Sequence, residues 1–300
     1  MWSAKWFDQS QLARARTTSM APFTRKCSVV LITLVLASCS NLKEVQEFAN
    51  ESAKFASDTT LIDRYKSTFA REAPFLTTPA QRTVASNNDA RRQKQLTDML
   101  HLNYGVASYM QTLARLAGDE SFNVSRSLDG LAQSLGKHPE LGINEQQVAA
   151  YSSLAKTVAK GLTTAAQQAA VRDMVTGADS DLQVLLSAMK DVLRYAQATS
   201  ANEKGMVIGR YETEIPFYQR QNMWLVASLG TEAMTAKRQE YEAVDGEYAA
   251  AQQALDRIKA GHARLREDVD HLSAKEVRLA IDAMTKEIKA VRKQLDGLKP

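Results

Sequence analysis

The stretch YEAVDGEYAAAQQALDRIKAGHARLREDVDHLSAKEVRLAIDAMTKEIKAVRKQLDGL, residues 241–298, decides the fold class. Tyr241, Val244, Tyr248, Ala251, Leu255, Ile258, His262, Leu265, Val269 and Leu272 recur at three- and four-residue steps, and Met234 begins the stripe upstream. That spacing places one apolar face along a helix, because an α-helix completes a turn every 3.6 residues. Ser273-Ala274-Lys275-Glu276 has the form of a capping box flanked by Leu272 and Val277 as a hydrophobic staple. Val277, Ile281, Met284, Ile288, Val291, Leu295 and Leu298 then resume the same alternation. Two amphipathic helices joined by a short turn predict a C-terminal antiparallel coiled-coil hairpin over 223–300.

Upstream the same period continues, and no segment alternates as a strand would. The expected fold is all-α, an elongated helical bundle over 39–222 with the hairpin packed on it or projecting from it. A first helix is expected from Asn41 to Arg71 along Val45, Phe48, Ser52, Phe55, Thr59, Ile62 and Phe69. A second covers Ala80 to Ala117 and ends at Gly118, and a shorter one covers Ser121 to Leu135. Residues 136–144, GKHPELGIN, are rich in turn formers. Asn144 with Gln147 forms an N-cap signal for a long helix carrying Val148, Tyr151, Leu154, Val158, Leu162 and onward to Val175, with Gly177 as its stop. Asp179 or Ser180 would cap the next helix, which carries Leu182, Leu185, Leu186, Met189 and Leu193. Gly205, Gly209 and Pro216 predict an interruption within 203–217.

The start of the chain carries an address. Arg25 and Lys26 precede the apolar run Val29–Ala37, which is too short to span a bilayer, since that takes about 20 residues. Positive residues, an apolar run and small residues in that order describe a secretory signal over residues 1–38, of ordinary length if the true start is Met20. Leu36-Ala37-Ser38-Cys39 resembles the lipobox of bacterial lipoproteins. The resemblance implies cleavage before Cys39, diacylglycerol on its thiol, an acylated new amino group and anchoring to a membrane through lipid rather than through a spanning helix. Ser40, where an aspartate would mark inner-membrane retention in such proteins, implies the outer membrane. The following NLKEVQEFANESAKF, together with REAPFL, resembles the mature start of helical lipoproteins of proteobacteria. Cys27 is the only other cysteine, so the chain after the signal has no disulfide.

The net charge of +4 belongs to the signal, because Lys5, Arg14, Arg16, Arg25 and Lys26 stand there against Asp8 alone. From Cys39 onward 33 basic residues meet 33 acidic ones, without the basic footprint of a nucleic-acid binder. No zinc motif, nucleophile elbow or glycine-rich phosphate cradle is present. No metal or cofactor is therefore expected, and no catalytic residue is named. Glu267 and His271 could share a helix face beside Asp268 and Asp270, but polar residues before a turn need no such role. His262 falls on the apolar stripe and reads as a core histidine.

Phe217, Tyr218 and Trp224, with Met223, Leu225 and Val226, form the one concentrated aromatic and apolar patch outside the helix stripes. Sequence alone favours their plugging one end of the bundle. As a functional patch they are the candidate partner contacts, because Trp and Tyr are enriched where binding energy concentrates. The functional expectation is a non-enzymatic, lipid-anchored envelope protein, a scaffold or adaptor that binds another envelope protein or itself through its helices. A surface immunity or exclusion-type binder against phage or toxin is the alternative.

Overall fold

A computed structural model describes residues 42–118 and 134–297. The lipobox residues Leu36, Ala37, Ser38 and Cys39, and nearly all of the helix expected over Ser121–Leu135, lie outside them. The fold is all-α: among the described residues there is no strand, only one isolated bridge between His138 and Ile143.

The described residues form eight α-helices in order: α1 Lys43–Ala56, α2 Thr60–Lys66, α3 Thr68–Glu72, α4 Pro79–Leu116, α5 Glu145–Thr163, α6 Gln168–Arg220, α7 Trp224–Glu267 and α8 Lys275–Asp296. The single helix expected from Asn41 to Arg71 is three pieces. Asp58 Oδ1 accepts from the Thr60 N–H at 2.9 Å, and Thr59 Oγ1 donates to Asp63 at 2.8 Å. Such local bonds offer the backbone an alternative to the helix ladder. The stripe survives the first break, with Val45, Phe48, Ser52, Phe55 and Ile62 all buried, while Thr59 and Phe69 are half-buried.

Helix α4 follows expectation. Thr78 and Gln81 form a reciprocal cap at its start, and Gly118, at φ +110°, ends it in backbone space open to glycine. Residues 136–144 make a closed turn in which Gly142 takes φ +76°, and Asn144 with Gln147 caps α5. Asp98 on α4 holds this turn by accepting from the Gly136 N–H at 2.6 Å and pairing with His138 Nε2 at 2.8 Å.

The next expected break is misplaced. Helix α5 stops at Thr163 rather than Gly177, because Arg115 of α4 donates to the Gly161 and Thr164 carbonyls. Those bonds satisfy acceptors that a continuing helix would use. Helix α6 then passes without interruption through Gly177, Gly205, Gly209 and Pro216. Each glycine costs about 1 kcal/mol of helix propensity, and α7 offsets it by packing antiparallel along α6. The register is visible in cross-pairs that rise on one helix as they fall on the other: Arg238–Glu212, Lys204–Asp245, Gln252–Gln197, Lys190–Asp256 and His262–Asp179.

The longest antiparallel pair is therefore α6 with α7, and α8 lies against both α7 and α1. The capping box read at Ser273–Glu276 does not form. Ala274 is the N-cap of α8 with no side-chain cap, its N–H donating to the His271 carbonyl at 2.8 Å within a tight turn. Leu272 and Val277 are nonetheless both buried. The α7 stripe from Tyr241 to Leu265 faces the main core, except for Tyr241, which joins a satellite cluster with Val207 and Ile208.

Candidate functional site

Helix α6 ends and α7 begins in a turn whose geometry follows from one residue. Asn222 has φ 54°, the only non-glycine residue with positive φ among those described. Asparagine enters the left-handed region more readily than most side chains. The Asn222 N–H donates to the Gln219 carbonyl at 3.0 Å and the Met223 N–H to the Tyr218 carbonyl at 3.0 Å. These paired bonds are the Schellman closure of a helix C-terminus, in which a residue such as Asn222 reverses the chain.

The turn places Phe217 and Tyr218 on α6 beside Trp224 on α7, so the structure brings the three predicted contacts to one tip. Phe217 and Trp224 do not plug an end of the bundle, and Tyr218 is half-buried. Trp224 is 60% exposed, Leu225 74%, Leu229 57% and Phe217 48%, and Met223 and Val226 are exposed as well. Between Glu212 and Glu240 only Ile215 and Ala227 are buried, one from each helix. Elsewhere among the described residues the exposed large apolar side chains are Val84, Tyr104, Tyr195 and Leu279, scattered as ordinary surface residues are. Leu229 was not singled out in the sequence reading, although its spacing of four from Leu225 could have pointed to it. From Ile215 to Thr231 the only charged residue is Arg220.

The tip stands far from the start of α1. Phe48 packs on Gly261 of α7, and Glu44 accepts from Arg278 at 2.6 Å near the start of α8. At 1.5 Å per residue, the span of α7 from Trp224 to Gly261 is about 55 Å.

Two buried polar networks compete for attention as chemistry. In the first, fully buried His262 pairs Nδ1 with Asp179 Oδ1 at 2.8 Å and Nε2 with the Tyr109 hydroxyl at 2.6 Å. The hydrogen bond from His262 is the main reason the Asp179 carboxyl lies below its ordinary range, while burial pushes the Tyr109 phenol well up. Tyr109 is fully buried, so an Asp–His–Tyr relay here has no substrate to reach and acts as a satisfied core network.

In the second network, buried Glu203 on α6 accepts from Arg71 Nε at 2.8 Å, Arg71 Nη2 at 2.7 Å and the Tyr241 hydroxyl at 2.8 Å. A polar cleft of about 240 Å3 adjoins it, with Glu72, Arg92, Gln95 and Tyr195 among its walls. Of its charges Glu203 pairs with Arg71, and Arg92 with Asp89 at 3.4 Å and Glu72 at 3.9 Å, while exposed Arg91 donates to Asn88. These contacts tie α3, α4, α6 and α7 together. The acidic run before the α8 turn is likewise taken up in ion pairs, Arg264 with Asp268 at 2.5 Å and Arg172 with Asp270 at 3.1 Å. Among the described residues no group of three or more His, Cys, Asp or Glu side chains is disposed to hold a metal ion, and no helix is long and apolar enough to cross a membrane.

Comparison with protein-family models, with curated proteins and with solved structures finds no match to the chain.

Proposed function

We propose that the protein is a non-enzymatic, lipid-anchored scaffold of a bacterial outer membrane that holds the α6–α7 tip away from the anchored end so that it docks on another envelope protein. The observation that carries this reading is the apolar tip, exposed on a helix pair about 55 Å from the end where α1 begins. An apolar group of this kind at the end of an arm is costly to leave in water and favourable to cover. The buried polar networks support a scaffold, because their groups are paired internally rather than presented to a substrate. The anchor itself rests on the Leu36-Ala37-Ser38-Cys39 sequence and its resemblance to a lipobox.

The test is metabolic labelling with a clickable fatty acid, followed by cross-linking and capture in intact cells, with Cys39→Ser alongside. The reading predicts label on the wild type, none on Cys39→Ser, and one defined envelope protein captured only when the lipid is present. Absence of label, or capture indifferent to Cys39→Ser, would count against it.

A further inference from the structure

The tip is apolar on more than one side, and that restricts what can cover it. Along α7 each residue turns about 100° from the last. Ala227, buried against α6, marks the inward direction. Leu225 and Leu229 then point almost directly away from α6, whereas Trp224 and Val226 lie on the two flanks, all four exposed. Phe217 adds an exposed ring from α6 itself. A flat partner would cover the Leu225–Leu229 front and leave Trp224, Val226 and Phe217 in water.

Charge separates the remaining occupants. The residues at the turn are Arg220, Gln221, Asn222 and Met223, all exposed, so the tip leads with a cation, two amides and one methionine and carries the rest of its apolar ring just behind them. A bilayer would have to take those polar groups in first, and surface-seeking helices owe their hold on anionic lipid to many Lys and Arg residues, of which this tip has one. A second copy meeting tip to tip would set Arg220 against Arg220, with the nearest acids back from the turn, Glu214 held by Arg210 at 2.6 Å and Glu232 two turns into α7.

We infer that the tip inserts into a concave seat on a different envelope protein, an apolar cup that surrounds the first turn of α7 and ends in carboxylate or carbonyl acceptors facing Arg220, Gln221 and Asn222. This rests on the proposed adaptor role and specifies its partner. Such a seat desolvates the aromatic and aliphatic ring from several directions at once, which is where binding energy concentrates. Arg220 then fixes the depth and orientation of entry, because a guanidinium led into an apolar cup needs acceptors at its end.

The experiment places a photoreactive benzoylphenylalanine singly at Phe217, Trp224, Val226 and Leu229 of the full chain in living cells, with Val84 as the control position. The seat predicts adducts from all four tip positions to one and the same polypeptide, none from Val84, and about tenfold less adduct when Arg220→Glu is added. Adducts from Leu229 without the flanking positions would establish a flat face and overturn the cup. Adducts to lipid, to another copy of the chain, or to nothing would each overturn the inference outright, as would adducts insensitive to Arg220→Glu. Repeating the set in Cys39→Ser separates the two claims. Adducts that persist there retain the seat and remove the dependence on anchoring, while absent adducts in the chain that keeps Cys39, with lipid label on it, retain the anchor and remove the seat.

Discussion

Single residues fix the two features on which the account rests. Glu203 is buried with three hydrogen bonds, two of them from one guanidinium, so removing its charge strands Arg71. Breaking a buried, hydrogen-bonded ion pair from one side costs about 3–5 kcal/mol, and Arg71, which keeps some solvent contact, should bring that toward the lower end. Glu203→Ala should therefore lower unfolding stability by about 3 kcal/mol, measured by urea denaturation; a loss within experimental error would show that the network is incidental. Asn222 makes a second, smaller case. Asn222→Gly should change stability by only a few tenths of a kcal/mol, whereas the β-branched Asn222→Val, forced to positive φ, should cost about 1–2 kcal/mol. Equal stability of the two variants would contradict the left-handed turn. Neither residue was legible in advance. Glu203 sits in a segment whose glycines suggested irregular structure, and Asn222 acquires its role only once α6 runs through that segment to reach it.

Among the helices, periodicity carried the reading and punctuation did not. The stripes on α1 and α7, and Met99, Leu102, Val106, Met110, Leu113 and Leu116 at the same spacing on α4, are buried, because burial of apolar area acts on every turn of the helix, while on α5 Tyr151, Leu154 and Val158 are buried and Val148 and Leu162 are half-buried. Breaks differ from expectation where a neighbour outweighs local preference: α7 packs along α6 past Gly205 and Gly209, while Arg115 takes up the Gly161 and Thr164 carbonyls where α5 stops, well before Gly177. Two glycines turn this into opposite predictions. A Cβ at Gly261 of α7 would run into the Phe48 ring of α1, with Met284 Sδ at 3.3 Å on the other side. Overpacking of that kind costs about 1–3 kcal/mol and should exceed the gain of about 0.5–1 kcal/mol from removing a helical glycine. At Gly205 of α6 nothing lies within 4 Å, so the propensity gain should stand alone. Gly261→Ala should melt lower than wild type and Gly205→Ala higher, and a common direction would contradict the α1–α7 packing. The tip was legible as composition, in Trp224, Tyr218 and Phe217, but its exposure was not, since the same residues would serve equally well inside a bundle.

At the scale of the whole molecule, buried phenols set a limit in alkali. Burial raises the ionisation of Tyr65, Tyr109, Tyr151, Tyr241 and Tyr248 above the ordinary phenol range, Tyr151 to about 12. A folded-state pKa above the unfolded value means that their contribution is complete below about pH 10 and is lost as pH climbs from there toward the folded values. Helical circular dichroism should accordingly collapse above about pH 10. Tyr248→Phe removes one such ionisation from the unfolded state while giving up only a 3.4 Å bond to the Leu61 carbonyl, so it should move the alkaline midpoint upward. A downward or unchanged midpoint would show that Tyr248 is not held neutral by the fold.

The central claim is that the tip works on something outside the chain instead of holding the chain together. The most direct measurement compares wild type with the double variant Leu225→Ser/Leu229→Ser, recording thermal melting of the purified protein and cross-linked capture in cells side by side. Both leucines are more than half exposed, and substitutions at such positions usually change stability by no more than about 0.5 kcal/mol. The account predicts an unchanged melt and a lost partner. A lowered melt with the partner retained would contradict it and return the tip to the role of a structural plug.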